Sequence, residues 1–378
     1  MSSHGQKDLL LSSNSLWNIV NFRSQIVLAL VAEGWKVHIA APSTAEERAA
    51  CNLPAETSGL TMQRSGVNPF TEVGLISQFV RLMRSKRPAA FLSWTIKPNI
   101  YGALAARAAG VPSILNVSGL GTAFLSGRLF GGFIVRLYRF AFRRARIVFF
   151  QNGDDCQLFL QLEIVRASQV RLLPGSGIDL VEFGPTPMPP SASGLRFLLV
   201  ARMIEQKGVR EFVEAARILR RSHPQVRCQL LGPVDQGNRS ALAREELQNW
   251  NDEGVIEYLG ALDDVRPAIA AATVIVLPSY REGVPRILLE AAAMARPLIA
   301  TDVPGCREVV VDGVNGFLCA PKSGLALAAA IANLAALEPH ERERMALASR
   351  RLVEERFSVE LVTRAYVEAV SDLGQGRT

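Results

Sequence analysis

Between residues 73 and 153 the chain holds no aspartate or glutamate, although 12 lysines and arginines fall there. A stretch so one-sided points to an anionic partner of the N-terminal half. Cysteine is scarce. The five residues at 51, 156, 228, 306 and 319 are odd in number and scattered, with no C-x-x-C. That excludes a disulfide framework and reads as reduced thiols of a cytoplasmic protein. Four equally scattered histidines (4, 38, 223 and 340) leave nothing from which to build a zinc site. No apolar run reaches the ~18–20 uncharged residues that span a bilayer, and residues 1–7 lack a signal-peptide pattern. The loop after the first strand-like run is not G-x-G-x-x-G, so a dinucleotide cofactor finds no support.

What is present is length, apolar content and alternation. At 378 residues and 49% hydrophobic, the chain fits two domains with sizeable cores. Strand-like runs at 8–13, 36–41, 89–93, 112–117, 147–151 and 170–173 alternate with helical stretches, the opening of a doubly wound sheet. Asn14 to Asn21 reads as a polar loop before a helix that ends near Glu33. Asp154-Asp155 begins a helix and complements its N-terminus. The Pro-rich segment 185–194 reads as a linker. The alternation then restarts, with strands at 195–200, 226–231, 255–260, 273–277 and 297–300. The expected division is 1–187, 188–356 and a final amphipathic helix within 357–378. Charge divides unevenly as well: residues 1–188 hold 19 basic and 11 acidic side chains, and the rest 23 and 24.

Two stretches carry chemistry. Pro278-Ser-Tyr-Arg-Glu-Gly-Val-Pro-Arg-Ile-Leu-Leu-Glu290 follows the apolar run 273–277 and opens a helix. The carboxyl end of such a strand is where open α/β sheets bind ligands. Glu282 and Glu290 stand eight apart there, and Gly283 lets the backbone approach a ligand closely. Arg202 and Lys207 lie beyond the strand at 195–200. A guanidinium fork and a flexible ammonium together offset a diphosphate.

The form E-G-x-P-x-x-x-L-E-A at 282–291, with R-x₄-K-G at 202–208, resembles the donor site of retaining glycosyltransferases of the GT-B fold, glycosyltransferase family 4. Three N-terminal pieces resemble its bacterial capsule, O-antigen and lipid-linked oligosaccharide subgroup. They are N-S-x-W-N-x-x-N-F-R at 14–23, T-I-K-P-N-I-Y-G at 95–102 and S-G-L-G at 118–121. The P-G-S-G-I-D turn at 174–179 is similar to the one closing the N-terminal domain in this superfamily. The resemblance implies two Rossmann-like domains facing each other across a cleft, with the C-terminal helix crossing back to the first. It implies a nucleotide-diphosphate sugar, UDP by family habit, as co-substrate, with no cofactor and no metal. Arg202, Lys207 and Glu282 would be catalytic. Gly283, Val284 and Pro285 would join them in holding the donor, with Glu290 on the ribose and the turn at Ala261 and Leu262 on the base. Asn14, Asn18, Lys97, Asn99, Ser118 and Gly119 would face the acceptor, a polyprenyl-diphosphate-linked sugar. Some relatives carry an acid or histidine near position 118, where this chain has Ser118, so the resemblance supplies no N-domain catalytic base.

Residues 126–147 form a basic helix in which Arg136, Arg139, Arg143 and Arg146 share an ~80° stripe. Phe133, Ile134, Leu137, Phe140 and Ala141 lie on the other side. With Arg128, these arginines are expected to meet an anionic membrane, peripherally on the inner face of the cell membrane. A solvated face on a core helix has the same pattern. No recognition motif accompanies the charge, so no nucleic acid partner is expected. Other readings are a soluble glycogen- or sucrose-type transferase, a nucleotide-sugar hydrolase or epimerase, and a non-catalytic nucleotide-sugar-binding protein.

Overall fold

The structure, a computed structural model, describes residues 8–63, 68–120, 128–190, 194–235, 237, 238 and 240–374, with the side chains of 128–131 and 374 excluded. It divides into two compact units, residues 1–176 with 359–378, and residues 177–358.

The first unit holds seven parallel strands: β1 (Asp8–Ser12), β2 (Lys36–Ala41), β3 (Glu56–Gly59), β4 (Ala90–Trp94), β5 (Ser113–Val117), β6 (Ile147–Phe150) and β7 (Val170–Leu172). Their order is β3-β2-β1-β4-β5-β6-β7. The second holds β8 (Leu195–Val200), β9 (Val226–Leu231), β10 (Glu257–Tyr258), β11 (Val274–Leu277), β12 (Leu298–Thr301) and β13 (Gly316–Cys319). These are also parallel, in the order β10-β9-β8-β11-β12-β13. Each unit is therefore doubly wound, with its switch point between the first and fourth strands, β1/β4 and β8/β11. The central strands are apolar without alternation because helices cover both faces. Leu9, Leu10, Leu11 and all of β11 are buried.

The last helix, Val359–Gly374, completes the first unit. Its Val362, Tyr366, Ala369 and Val370 pack among Leu9, Leu11, Ile26 and Phe149. The Tyr366 hydroxyl accepts from Trp94 Nε1 at 2.8 Å and Asn116 Nδ2 at 2.7 Å. Roughly 1 kcal/mol attaches to each such buried bond.

Several elements differ from the sequence reading. The expected polar loop after β1 is largely a helix, Leu16–Phe22, because Ser15 caps it by accepting the Asn18 N–H at 3.1 Å. Trp17 is 59% exposed on that helix and meets Phe22 edge-on at 5.2 Å. Strands β3 and β13 were not foreseen. β3 is E-T-S-G, a polar run that exists by pairing with β2. The expected strand at 255–260 shrinks to β10, since Val255 and Ile256 turn into the core instead.

The division also falls elsewhere, at 176/177 and 358/359 rather than 187/188 and 356/357. Residues 177–190 pack on the second unit. The Ile178 N–H donates to the Phe357 carbonyl at 2.9 Å, and the buried Arg296 guanidinium binds the carbonyls of Thr186 and Pro187 at 2.9 and 3.0 Å. Among the described residues no helix is long and apolar enough to cross a membrane.

Candidate functional site

In the second unit the loops after β8 and β11 flank the switch point. They are the loops that carry Arg202, Lys207, Glu282 and Gly283. Backbone contacts lock the loops together. The Tyr280 N–H donates to the Gln206 carbonyl at 2.9 Å. Gly208, at φ +69°, sits so close that a Cβ there would stand 2.1 Å from the Pro278 carbonyl oxygen. The loop after β12 closes the other side. A Cβ on Gly305, at φ +80°, would stand 1.4 Å from the Gly283 carbonyl oxygen. The 278–285 loop is thus held between two neighbours, each of which needs glycine at the contact.

The charged groups pair within this frame. Lys207 Nζ binds Glu282 Oε1, with both side chains largely buried. Arg202 donates to Asp235 Oδ2 at 2.7 Å while keeping more than half its side chain exposed. Arg286 Nε donates to Glu290 Oε1 at 2.8 Å, one turn apart on the helix Arg286–Ala293. Burial pushes the Glu290 carboxyl above the ordinary carboxylate range; Arg286 opposes this, and Glu182 and Asp264 add to it. Pro285 opens that helix with no side-chain cap and no acid in the first turn, so the end stays favourable to an anion. Val284 is buried in the core under the loop.

Sequence reasoning missed several members. Asp235, the Arg202 partner, follows β9 and carries no motif. Tyr280 donates its hydroxyl to Glu211 Oε1 at 2.6 Å, and Lys322 Nζ lies 5.0 Å from its ring centroid. Burial and Glu211 push the Tyr280 hydroxyl upward, so it stays a donor. Ser279 is fully buried with its Oγ unpartnered. Gly305, which closes on Gly283, sits in a P-G pair, a turn dipeptide that could have marked it.

In the first unit the expected acceptor residues follow β1, β4 and β5. Asn14 is exposed, and Asn18 Oδ1 accepts from Ser13 Oγ at 2.9 Å. Lys97 is not a bare loop lysine. Its Nζ lies 2.5 Å from Glu72 Oε1, and both groups are largely buried. Glu72 stands one residue before the acid-free stretch begins. Asn99 is buried as a brace, accepting from Ser93 Oγ and donating to the Asn116 carbonyl, both at 2.7 Å. Ser118 and Gly119 are half-buried, Gly119 at φ +137°; Gly121 lies outside the described residues.

The basic helix spans Arg128–Phe142, and the Arg128 side chain lies outside the described residues. Arg136, Arg139, Arg143 and Arg146 are exposed. Arg139 also donates to the Leu162 carbonyl at 2.7 Å. Phe133 and Phe140, read as facing away from the arginines, are themselves 65% and 53% exposed. The core side of the helix is filled by Tyr138, Ala141 and Phe142, which leaves those two rings at the border of the basic stripe.

Residues 20–175 match the model of the glycosyl transferase 4-like domain, and residues 194–336 that of glycosyl transferases group 1. A Campylobacter jejuni N,N'-diacetylbacillosaminyl-diphospho-undecaprenol alpha-1,3-N-acetylgalactosaminyltransferase is 26% identical over 81% of this chain and 83% of its own. Glycogen synthase of Mycobacterium tuberculosis is 28% identical over 50% of this chain and 45% of its own. The structure of Anabaena HepE in complex with UDP superposes with a TM-score of 0.76 at 20% identity, covering 97% of this chain and all of that one. Two doubly wound parallel sheets, matched end to end by such a structure and by domain models over both halves, make this chain a glycosyltransferase of the GT-B fold, belonging to the group 1 and 4-like families.

Proposed function

We propose that the chain is a retaining transferase that moves a hexose or N-acetylhexosamine from a nucleotide-diphosphate sugar, UDP-linked, to a polyprenyl-diphosphate-linked acceptor. The observation that carries the reading is the joining of the Arg202–Lys207 loop to the Glu282–Glu290 loop at one switch point. As the bond from the anomeric carbon to the β-phosphate oxygen breaks, negative charge builds on the diphosphate. Arg202 and Lys207 stabilise it there without a metal. The new bond forms from the acceptor oxygen on the same face, and its hydroxyl proton passes to the departing phosphate. Glu290 accepts from the ribose hydroxyls. Glu282, with the backbone at Gly283, Val284 and Pro285, holds the sugar. The donor phosphates displace carboxylates already bound to these cations, Glu282 on Lys207 and Asp235 on Arg202.

The acceptor class rests on the Campylobacter relative, whose substrate is a diphospho-undecaprenol. The exposed Phe133 and Phe140 beside Arg136, Arg139 and Arg143 suit a peripheral position on the inner face of the cell membrane, in a cytoplasmic protein. A soluble, glycogen-synthase-like transferase is the second reading, favoured by the Mycobacterium match.

The test is transfer from a panel of nucleotide sugars to polyprenyl-diphosphate sugars and to a soluble glucan, with the anomeric configuration of the product read by NMR. Transfer to the lipid-linked acceptor with retention is expected. Inversion would sink the mechanism, and transfer to glucan alone would favour the second reading. Glu290→Ala with unchanged donor affinity would remove its ribose role.

A further inference from the structure

A cavity lined mainly by arginines belongs to neither switch point. It measures about 810 Å³ and lies within the first unit, whereas the donor residues belong to the second. Five of its lining side chains are arginines: Arg143, Arg144, Arg146, Arg166 and Arg171. Arg143 and Arg144 form the turn after the basic helix, and Arg146 immediately precedes β6. In a parallel sheet that is the rim opposite the loops that follow β1, β4 and β5. The single carboxylate in the lining, Asp372, binds Arg171 at 3.0 Å.

Part of the cradle is held in place. Gln169 is buried and donates its amide to the carbonyls of Phe142 and Ala145, at 3.2 and 2.5 Å. Its Oε1 accepts from Arg166 Nε at 3.3 Å, and Arg166 also reaches the Arg143 carbonyl at 3.4 Å. The side chains of Arg143 and Arg144 have no hydrogen-bond or ion-pair partner among the described residues. Gathering like charges around one concavity is unfavourable unless an anion occupies it. Guanidinium forks match phosphate oxygens two by two. The volume falls in the range of small-molecule sites.

We infer that this pocket binds a ligand bearing two or more phosphate charges, such as a diphosphate or a bisphosphate, at a site separate from the sugar-donor site. The phosphates come either from a soluble compound or from the headgroup of an anionic lipid. The inference does not depend on which sugar is transferred, or on whether transfer occurs.

The full chain carrying Arg202→Ala and Lys207→Ala, which blanks the donor site, is titrated with inorganic diphosphate by calorimetry at low salt. Binding is expected to persist, and to weaken about tenfold or more when Arg144→Gln and Arg166→Gln are added, through loss of two charge-assisted contacts. Arg144→Gln alone touches no hydrogen bond of the fold and weakens binding less. Arg166→Lys, which keeps the charge but loses the fork, falls between. Co-flotation with phosphatidylglycerol and phosphatidylcholine vesicles separates the sources. A loss of phosphatidylglycerol binding in the Arg144/Arg166 variant, with competition by diphosphate, identifies a lipid headgroup. Unchanged flotation with lost diphosphate binding identifies a soluble ligand. Diphosphate affinity indifferent to both arginines overturns the site, and so does a short RNA that binds more tightly than diphosphate at the same salt.

Discussion

Replacing Arg296 with methionine should cost the second unit about 4 kcal/mol. Arg296 is fully buried, yet no carboxylate is among its partners. Its guanidinium donates to Ile269 and Ala270 carbonyls at 3.1 and 2.8 Å, at the end of the helix Arg266–Ala271. It donates to Met294 and Ala295 carbonyls at 3.1 and 2.9 Å, just past the helix Arg286–Ala293. It also ties in the 177–190 stretch through Thr186 Oγ1 at 2.7 Å and the carbonyls of Thr186 and Pro187. Two helix C-termini and a strap therefore share one cation in place of a counter-ion. Burial pushes its pKa down to about 10, far enough above neutrality to keep the charge. Methionine fills much of the space but leaves several buried carbonyls unpaired at ~1–3 kcal/mol each. Water entry and relief of the desolvated charge return part of that. For a unit of this size each kcal/mol moves Tm by roughly 2–4 °C, so a fall of about 12 °C is expected by calorimetry. Arg296→Lys should recover little, since one ammonium cannot reach both helix ends and the strap. A Tm loss in Arg296→Met of less than about 3 °C would refute the account.

Gly305→Ala should abolish donor binding and lower stability, because its Cβ would collide with the Gly283 backbone at a strained φ; nucleotide affinity and Tm measured together check this. Tyr366→Phe removes the acceptor shared by Trp94 and Asn116 and should cost about 2 kcal/mol in the first unit, read by denaturant titration. The Glu290 carboxyl has its folded pKa raised, so the native state holds that proton longer than the unfolded chain does. Wild-type stability relative to Glu290→Gln should therefore fall as pH rises from the ordinary carboxylate value through the raised one. Tm profiles of both proteins from about pH 4 to about pH 8 test this, and parallel profiles would count against it.

Much of the proposed donor site could be assembled from the sequence because its residues are local. Glu282, Gly283, Pro285 and Glu290 fall on one strand–loop–helix unit, and Arg202 and Lys207 on another. Within such a unit, sequence spacing fixes which side chains leave the carboxyl end of the strand. The same holds for the fold, since buried parallel strands between helices announce themselves as apolar runs. Strand β3 was illegible because its polar residues gain strand geometry only by pairing with β2. The amphipathic pattern set the arginine stripe of the basic helix, but not the exposure of Phe133 and Phe140 at its border. That depended on how much of the helix its neighbours in the fold cover.

The sequence by itself determined two doubly wound units and the strand-end loops that carry Arg202, Lys207 and Glu282. The tertiary structure decided what those charges meet. Lys97, free by its motif, lies against Glu72, 25 residues earlier. Asn116 is held by Tyr366, 250 residues later. Arg171 shares Asp372 at the edge of a cavity that no contiguous motif encodes. Electrostatic and hydrogen-bonding partners are chosen by distance in space, and the pattern of residues along the chain carries that distance only within a single strand, turn or helix.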